Sequence, residues 1–165
     1  MPDSLLPPDI VALARRVVEE NARAGRRISL AESCTGGLVA GAITEIPGSS
    51  DVLDRSYVTY SNAAKQADLG VEGDILDAFG AVSVACVYAM ARGALERSGA
   101  DVAVAISGIA GPGGGSEMKP VGTVVFARAI RGEERATAEE RLFADTDRGG
   151  VRRQAVLCAL ELLLP

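Results

Sequence analysis

Histidine is absent from this 165-residue chain. The gap removes the side chain whose unperturbed pKa sits nearest neutrality, and with it the commonest metal ligand. Cysteine is scarce: Cys34, Cys86 and Cys158 stand far apart with no C-x-x-C spacing. Three scattered thiols make neither a zinc pattern nor a tidy disulfide framework, so no metal and no oxidising compartment is expected. An excess of basic residues is missing too, the formal net charge being −5. Nucleic acid and anionic membranes both call for a basic face, so neither is an expected partner. A small anionic ligand needs only a few local cations and stays open. No apolar run approaches the roughly 20 residues that cross a bilayer. The opening "MPDSLLPPD" has neither the basic nor the apolar region of a signal peptide, so a cytoplasmic protein is expected.

What is present fits one domain. A chain of this length buries roughly 70% of its unfolded surface without disulfides or metal. The composition, 48% hydrophobic and 24% charged, is that of a soluble globular protein. A single domain is expected over 1–165, with 1–8 flexible.

Residues 8–24 place Ile10, Leu13, Ala14, Val17 and Val18 on one helical face, between Pro8 and Gly25. "RRISLAES" reads as a strand, "GGLVAGAITEI" as a helix and "VLDRSYVTYS" as an alternating strand. Two short helices follow, the first with Asn62 as its expected cap. A long helix begins at Ser83. "DVAVAISG" is apolar almost throughout, as a strand buried on both faces should be. After a Gly/Pro-rich loop, two strands bracket "RGEE", and a last helix closes the chain. Alternation early and a hairpin late predict an α/β fold, a three-layer α/β/α sandwich with a mixed, mostly parallel sheet. Ligands of such sheets collect at the C-terminal ends of the strands. Those ends carry Glu32-Ser33, Tyr60-Ser61 and Ser107-Gly108.

"AESCTGG" (31–37) sets two candidate nucleophiles, Ser33 and Cys34, at a strand-to-helix turn. Free N–H groups at a helix start are natural oxyanion donors. The simpler reading is that Ser33 or Thr35 caps the helix, and that Cys34 is buried filler. Without histidine, a base for serine must be Lys, Tyr, Asp or Glu. In "YVTYSNAAK" Lys65 falls near a helix start, where the dipole disfavours a cation and burial would lower its pKa further. Tyr60 could relay a proton. Ser61, four residues before Lys65, competes with Ser33. Alternatively Lys65 is a solvated surface lysine. "PGSSD" (47–51) reads as a turn.

"ISGIAGPGGGSEMKPVG" (106–122) lets backbone approach a ligand closely. Its N–H groups could form an anion nest, with Lys119 adding a phosphate contact. It is neither a P-loop nor a dinucleotide fingerprint. "ADTDRGGVRRQ" sets Arg148, Arg152 and Arg153 at the start of the last helix, with Asp147 as cap. An anionic ligand and surface ion pairs account for these arginines equally well.

"AESCTGG", "GSS", "VTYSNAAK", "GAVS", "SGIAGPGGGSEMKPVGTV" and "DRGGVRRQA" occur in the order found in the CinA C-terminal domain family, which the chain resembles from about residue 9 to its end. That family includes stand-alone nicotinamide mononucleotide (NMN) deamidases. The resemblance implies an α/β/α fold and hydrolysis of the carboxamide of NMN to nicotinate mononucleotide and ammonia, a step of pyridine nucleotide salvage. It implies a Ser/Lys dyad, no metal and no cofactor. Carried over, Ser33 is the nucleophile, Lys65 its base and Tyr60 an assistant. Ser50 lines the site and is the alternative nucleophile. Ser107 matches a position often Thr, and Arg148 an active-site arginine. Substrate contacts are expected from Thr35, Gly36, Ser61, Asn62, Ser107, Gly108, Gly111, Lys119 and Arg148. Gly113 and Met118 depart from residues often polar in the family, and the larger N-terminal domain of full-length CinA proteins has no counterpart here. The alternative function is a non-catalytic nucleotide-binding module. The apolar helices at 83–98 and 151–164 suggest a homo-oligomer.

Overall fold

The apolar run at Val102–Gly108 is the middle of a five-stranded sheet, which is why almost every position in it is buried. The computed structural model describes residues 4–144 and 146–165. In chain order the elements are α1 (Pro8–Ala24), β1 (Ile28–Glu32), α2 (Leu38–Thr44), a 3-10 turn (Ser49–Asp51), β2 (Leu53–Val58), α3 (Asn62–Leu69), α4 (Gly73–Phe79), α5 (Val84–Glu96), β3 (Val102–Gly108), β4 (Thr123–Ile130), β5 (Thr137–Leu142) and α6 (Arg148–Leu162). The strand order is β2-β1-β3-β4-β5. β1 runs parallel to β2 and β3, and β4 runs antiparallel to β3 and β5. The sheet is thus mixed, with β4 alone reversed.

Strand periodicity sorts large and small residues to opposite faces. Leu30, Val104, Ile106 and Phe126 pack with α1, α2 and α6 in one core. Ala31, Ala103, Ala105 and Ala127 face a second core with α3, α4 and α5. Alanine on that face lets α5 lie close over β1, β3 and β4. α3 is drawn in against α5 at Gly93, where a Cβ would come 2.0 Å from the Leu69 carbonyl oxygen. This close approach fixes the position of α3, and with it Lys65.

Two caps follow expectation: Ser83 Oγ accepts the Cys86 N–H, and Asp147 Oδ1 accepts the Gly150 N–H. A third does not. Ser61, not Asn62, caps α3, its Oγ accepting the Ala64 N–H at 3.0 Å. Of the stretch 1–8 expected to be flexible, residues 1–3 lie outside the described ones. Leu6 packs against the first core and Pro8 opens α1. Among the described residues no helix is long and apolar enough to cross a membrane.

Gly93→Ala forces α3 and α5 apart and is expected to cost about 1–3 kcal/mol of stability. Urea unfolding checks this as a lower midpoint at unchanged slope, and an unchanged midpoint contradicts the packing argument.

Candidate active site

Three parallel strands end on the same edge of the sheet, with Glu32 level with Val58 and Ile106. The segments leaving those ends build a cleft of about 280 Å³. Ser33, Cys34, Tyr60, Lys65, Ser107 and Arg148 line it, together with loop residues between Gly108 and Gly114.

Ser33 is the first residue after β1 and is 8% exposed. Its N–H donates to the Ile106 carbonyl at 2.9 Å, and its own carbonyl accepts the Gly36 N–H at 3.0 Å. Gly36 and Gly37 have φ of 59° and 97°, so the glycine pair turns the chain through the left-handed region. Ser33 does not cap α2, and neither does Thr35. The carboxylate of Glu32 takes that part, accepting the Val39 N–H at 3.0 Å and the Ala40 N–H at 3.1 Å. The serine hydroxyl is therefore left for another partner.

That partner is Lys65. Its Nζ lies 3.0 Å from Ser33 Oγ, and it donates to the carbonyls of Thr59 at 2.7 Å and Tyr60 at 3.3 Å. The side chain is 1% exposed, and among the described residues no carboxylate bonds to it. Burial pushes its pKa below the ordinary lysine value, opposed by the neighbouring thiols of Cys86 and Cys34. The dipole is not the leading cause expected above, since Lys65 is the fourth residue of α3, beyond its first three N–H groups. Three polar atoms, the Thr59 and Tyr60 carbonyls and the Ser33 hydroxyl, thus surround the amine.

Cys34 beside Ser33 is buried, and burial raises its thiol to about 11. It is protonated at neutral pH and unsuited to attack. Its Sγ also packs under Gly108, where a Cβ would come within 3.1 Å of it. Tyr60 is 62% exposed at the mouth. Arg148, first residue of α6, donates to the Tyr60 hydroxyl at 3.3 Å and to the Gly111 carbonyl at 2.6 Å. Ser107 is buried in the wall.

Several expected residues stand elsewhere. Ser50 is exposed in the 3-10 turn before β2. β1 and β2 are parallel and start together at Ile28 and Leu53, so Ser50 lies at the opposite edge of the sheet from Ser33. It does not share the cleft within this chain. Ser61 is spent on capping α3, and neither it nor the exposed Asn62 lines the cleft. Lys119 instead donates to the Phe79 carbonyl at 3.0 Å, tying the glycine loop to the end of α4. Thr35 is fully buried beneath the turn, and Gly36 is exposed on it; neither lines the cleft. Arg153 pairs with Asp9 at 2.6 Å rather than with the segment before α6, of which Asp145 lies outside the described residues. Arg152 donates to the carbonyls of Cys34 and Thr35. Sequence reasoning missed Thr59 and the contacts that Glu32 and Arg152 make here. The visible signal was a Glu directly before the candidate serine, but its targets lie seven and eight residues on. Among the described residues no cluster of His, Cys, Asp or Glu could hold a metal ion.

The CinA C-terminal domain family matches residues 10–165. The nicotinamide-nucleotide amidohydrolase PncC of Pseudomonas putida is 50% identical over 155 residues, 94% of this chain and 95% of that protein. A CinA-like protein of Akkermansia muciniphila is 50% identical over 160 residues; they are 97% of this chain but span only 38% of that protein's length. The crystal structure of the competence/damage inducible protein CihA from Agrobacterium tumefaciens superposes with a TM-score of 0.94 at 51% identity, covering 98% of this chain and 97% of that one.

The lowered pKa of Lys65 has a signed consequence. Between its folded value and the ordinary 10.5, the unfolded chain binds more protons at this site than the folded one. Stability from this group therefore rises with pH across that window, and Lys65→Met lacks the gain. The difference in unfolding free energy between wild type and Lys65→Met should shift in favour of wild type as pH rises toward the ordinary 10.5. A flat difference in urea titrations contradicts the lowered value.

Proposed function

This chain belongs to the CinA C-terminal domain family, and from that premise we propose that it hydrolyses the carboxamide of NMN to nicotinate mononucleotide and ammonia. The observation that carries the reading is the 3.0 Å contact between Lys65 Nζ and Ser33 Oγ in the wall of the cleft. The near-complete match in length to a protein named for this activity supports the substrate.

Neutral Lys65 takes the proton of Ser33 as Oγ bonds to the carboxamide carbon. The carbonyl π bond opens and its oxygen becomes an oxyanion. The backbone N–H groups of the turn after Ser33 are assigned to hold that charge. The Lys65 ammonium then protonates the departing nitrogen, the C–N bond breaks and ammonia leaves. The product is an ester between Ser33 and the nicotinate carbonyl. Water, deprotonated by Lys65, attacks that ester, and the proton returns to Ser33 Oγ as it departs. The Thr59 and Tyr60 carbonyls aim the amine throughout. Arg148, exposed at the mouth, is assigned to the substrate phosphate, with Tyr60 orienting its guanidinium. Ser107 and the backbone from Gly108 to Gly111 form the wall for the pyridine.

Ammonia release from NMN tests the chemistry. Ser33→Ala and Lys65→Ala should each lose roughly 10³-fold or more in kcat, while Ser50→Ala retains activity. Full activity in Ser33→Ala overturns the nucleophile. NMN-dependent thermal stabilisation without ammonia would make the protein a binding module instead. In wild type, kcat should rise with pH along a limb set by Lys65, below the ordinary 10.5.

Arg148→Ala should raise KM for NMN roughly 10- to 100-fold, the worth of one charge-assisted contact, while leaving nicotinamide riboside unaffected. Equal losses on nucleotide and riboside remove the phosphate role.

A further inference from the structure

We propose that Glu32 and Arg152 are positioning residues, which together grip the turn that carries Ser33 and keep its hydroxyl free for Lys65. The inference rests on Ser33 as nucleophile.

A serine entering a helix ordinarily spends its hydroxyl on the helix N–H groups. In this turn Glu32, the residue before it, relieves Ser33 of that task. One carboxylate oxygen accepts the Val39 N–H and the other the Ala40 N–H, at 3.0 and 3.1 Å. The second oxygen also accepts the Ser56 hydroxyl of β2 at 3.3 Å. Glu32 is thus bonded to the helix after the turn and to the strand beside it. It is fully buried, and among the described residues no cation pairs with it. A buried carboxylate is a costly cap, because a neutral Ser or Asn would cap a surface helix without that desolvation. Local rules broken in this way cluster at functional sites.

Arg152 holds the other side. Its Nε donates to the Cys34 carbonyl at 3.1 Å and its Nη2 to the Thr35 carbonyl at 3.5 Å. The Ser33 carbonyl is taken by the Gly36 N–H, and the Thr35 carbonyl also accepts the Leu38 N–H. Every carbonyl from Ser33 to Thr35 therefore has a donor, and none of these three peptides can flip without breaking one. Both grips come from the layer of α2 and α6, whereas Lys65 arrives from the opposite layer with α3. Loosening the grip disturbs where Ser33 points and leaves the two carbonyls that hold the amine, those of Thr59 and Tyr60, in place.

That separation provides the test. Glu32→Gln keeps the size but sets an amide N–H₂ against one of the two helix N–H groups. Arg152→Gln removes the two-point contact, and Arg152→Lys restores the charge but only one point of contact. Two rates are measured: ammonia release from NMN, and phosphonylation of Ser33 by a fluorophosphonate, read by intact mass. The second forms the Oγ–P bond with loss of fluoride and needs no NMN. In Glu32→Gln and Arg152→Gln both rates should fall roughly 10- to 100-fold, the scale of a misplacement of about 1 Å. KM and the acid limb should stay at wild-type values, and Arg152→Lys should recover part of the loss. Wild-type rates in the folded variants overturn the inference, as does a loss accompanied by a shifted acid limb. Should Glu32→Gln fail to fold, Arg152→Gln decides alone. Wild type that labels at Ser33 but releases no ammonia from NMN overturns the substrate and leaves this inference standing. Wild type that does not label at Ser33 overturns it.

Discussion

A lysine amine buried without a carboxylate partner among the described residues is the constraint around which the rest is arranged. Lys65 is among the largest fully buried side chains, in company with Phe126, Ile28 and Leu30. An ammonium there would forfeit its hydration with no anion to replace it. Burial therefore lowers its pKa, and the Thr59 and Tyr60 carbonyls hold the amine facing Ser33. In the proposed mechanism, a chain without histidine obtains its base through this burial. What that requires is a helix pressed into the sheet edge, and the missing Cβ of Gly93 allows α5 to receive it.

The sheet topology does the remaining positioning. Because β1, β2 and β3 are parallel, Ser33, Thr59-Tyr60 and the glycine loop all leave from one edge. The reversal at β4 returns the loop along the same edge, with Ser107 opposite Val125 and Gly108 opposite Val124. A Cβ on Gly108 would meet the Val124 side chain at 2.8 Å, so the strand end packs tightly against its neighbour as it opens into the loop. Arg148 then ties the loop to Tyr60 from a third direction.

Most of this fold was legible because it depends on local pattern. Apolar alternation marked the strands, and Ser83, Asp147 and Gly25 marked helix ends. The lack of histidine narrowed the bases to Lys, Tyr, Asp or Glu, and the family resemblance then pointed to the pairing of Ser33 with Lys65. The rest needed tertiary information. Nothing local tells Ser50 from Ser33, because which edge of the sheet each occupies follows from strand direction. Asn62 and Ser61 are both good caps, and the helix start had to be known to choose between them. Lys119 read as a phosphate ligand until α4 placed a carbonyl in its reach. Glu32 could not be read as the cap of α2 at all, since its reach spans the whole intervening turn.

The neighbours Ser33 and Cys34 show what burial selects. Removing water disfavours the charged form of any group, so it acts in opposite directions on acids and bases. It lowers the lysine and raises the thiol to about 11. The burial that lowers the Lys65 pKa is the same burial that keeps the Cys34 proton in place. A thiol would be the stronger nucleophile as a thiolate, yet the thiolate is the species this site cannot hold. The hydroxyl needs no ionised ground state, because its proton leaves only as the new bond forms. In the proposed mechanism a buried amine beside two candidate nucleophiles therefore works with the serine, while the cysteine packs under Gly108.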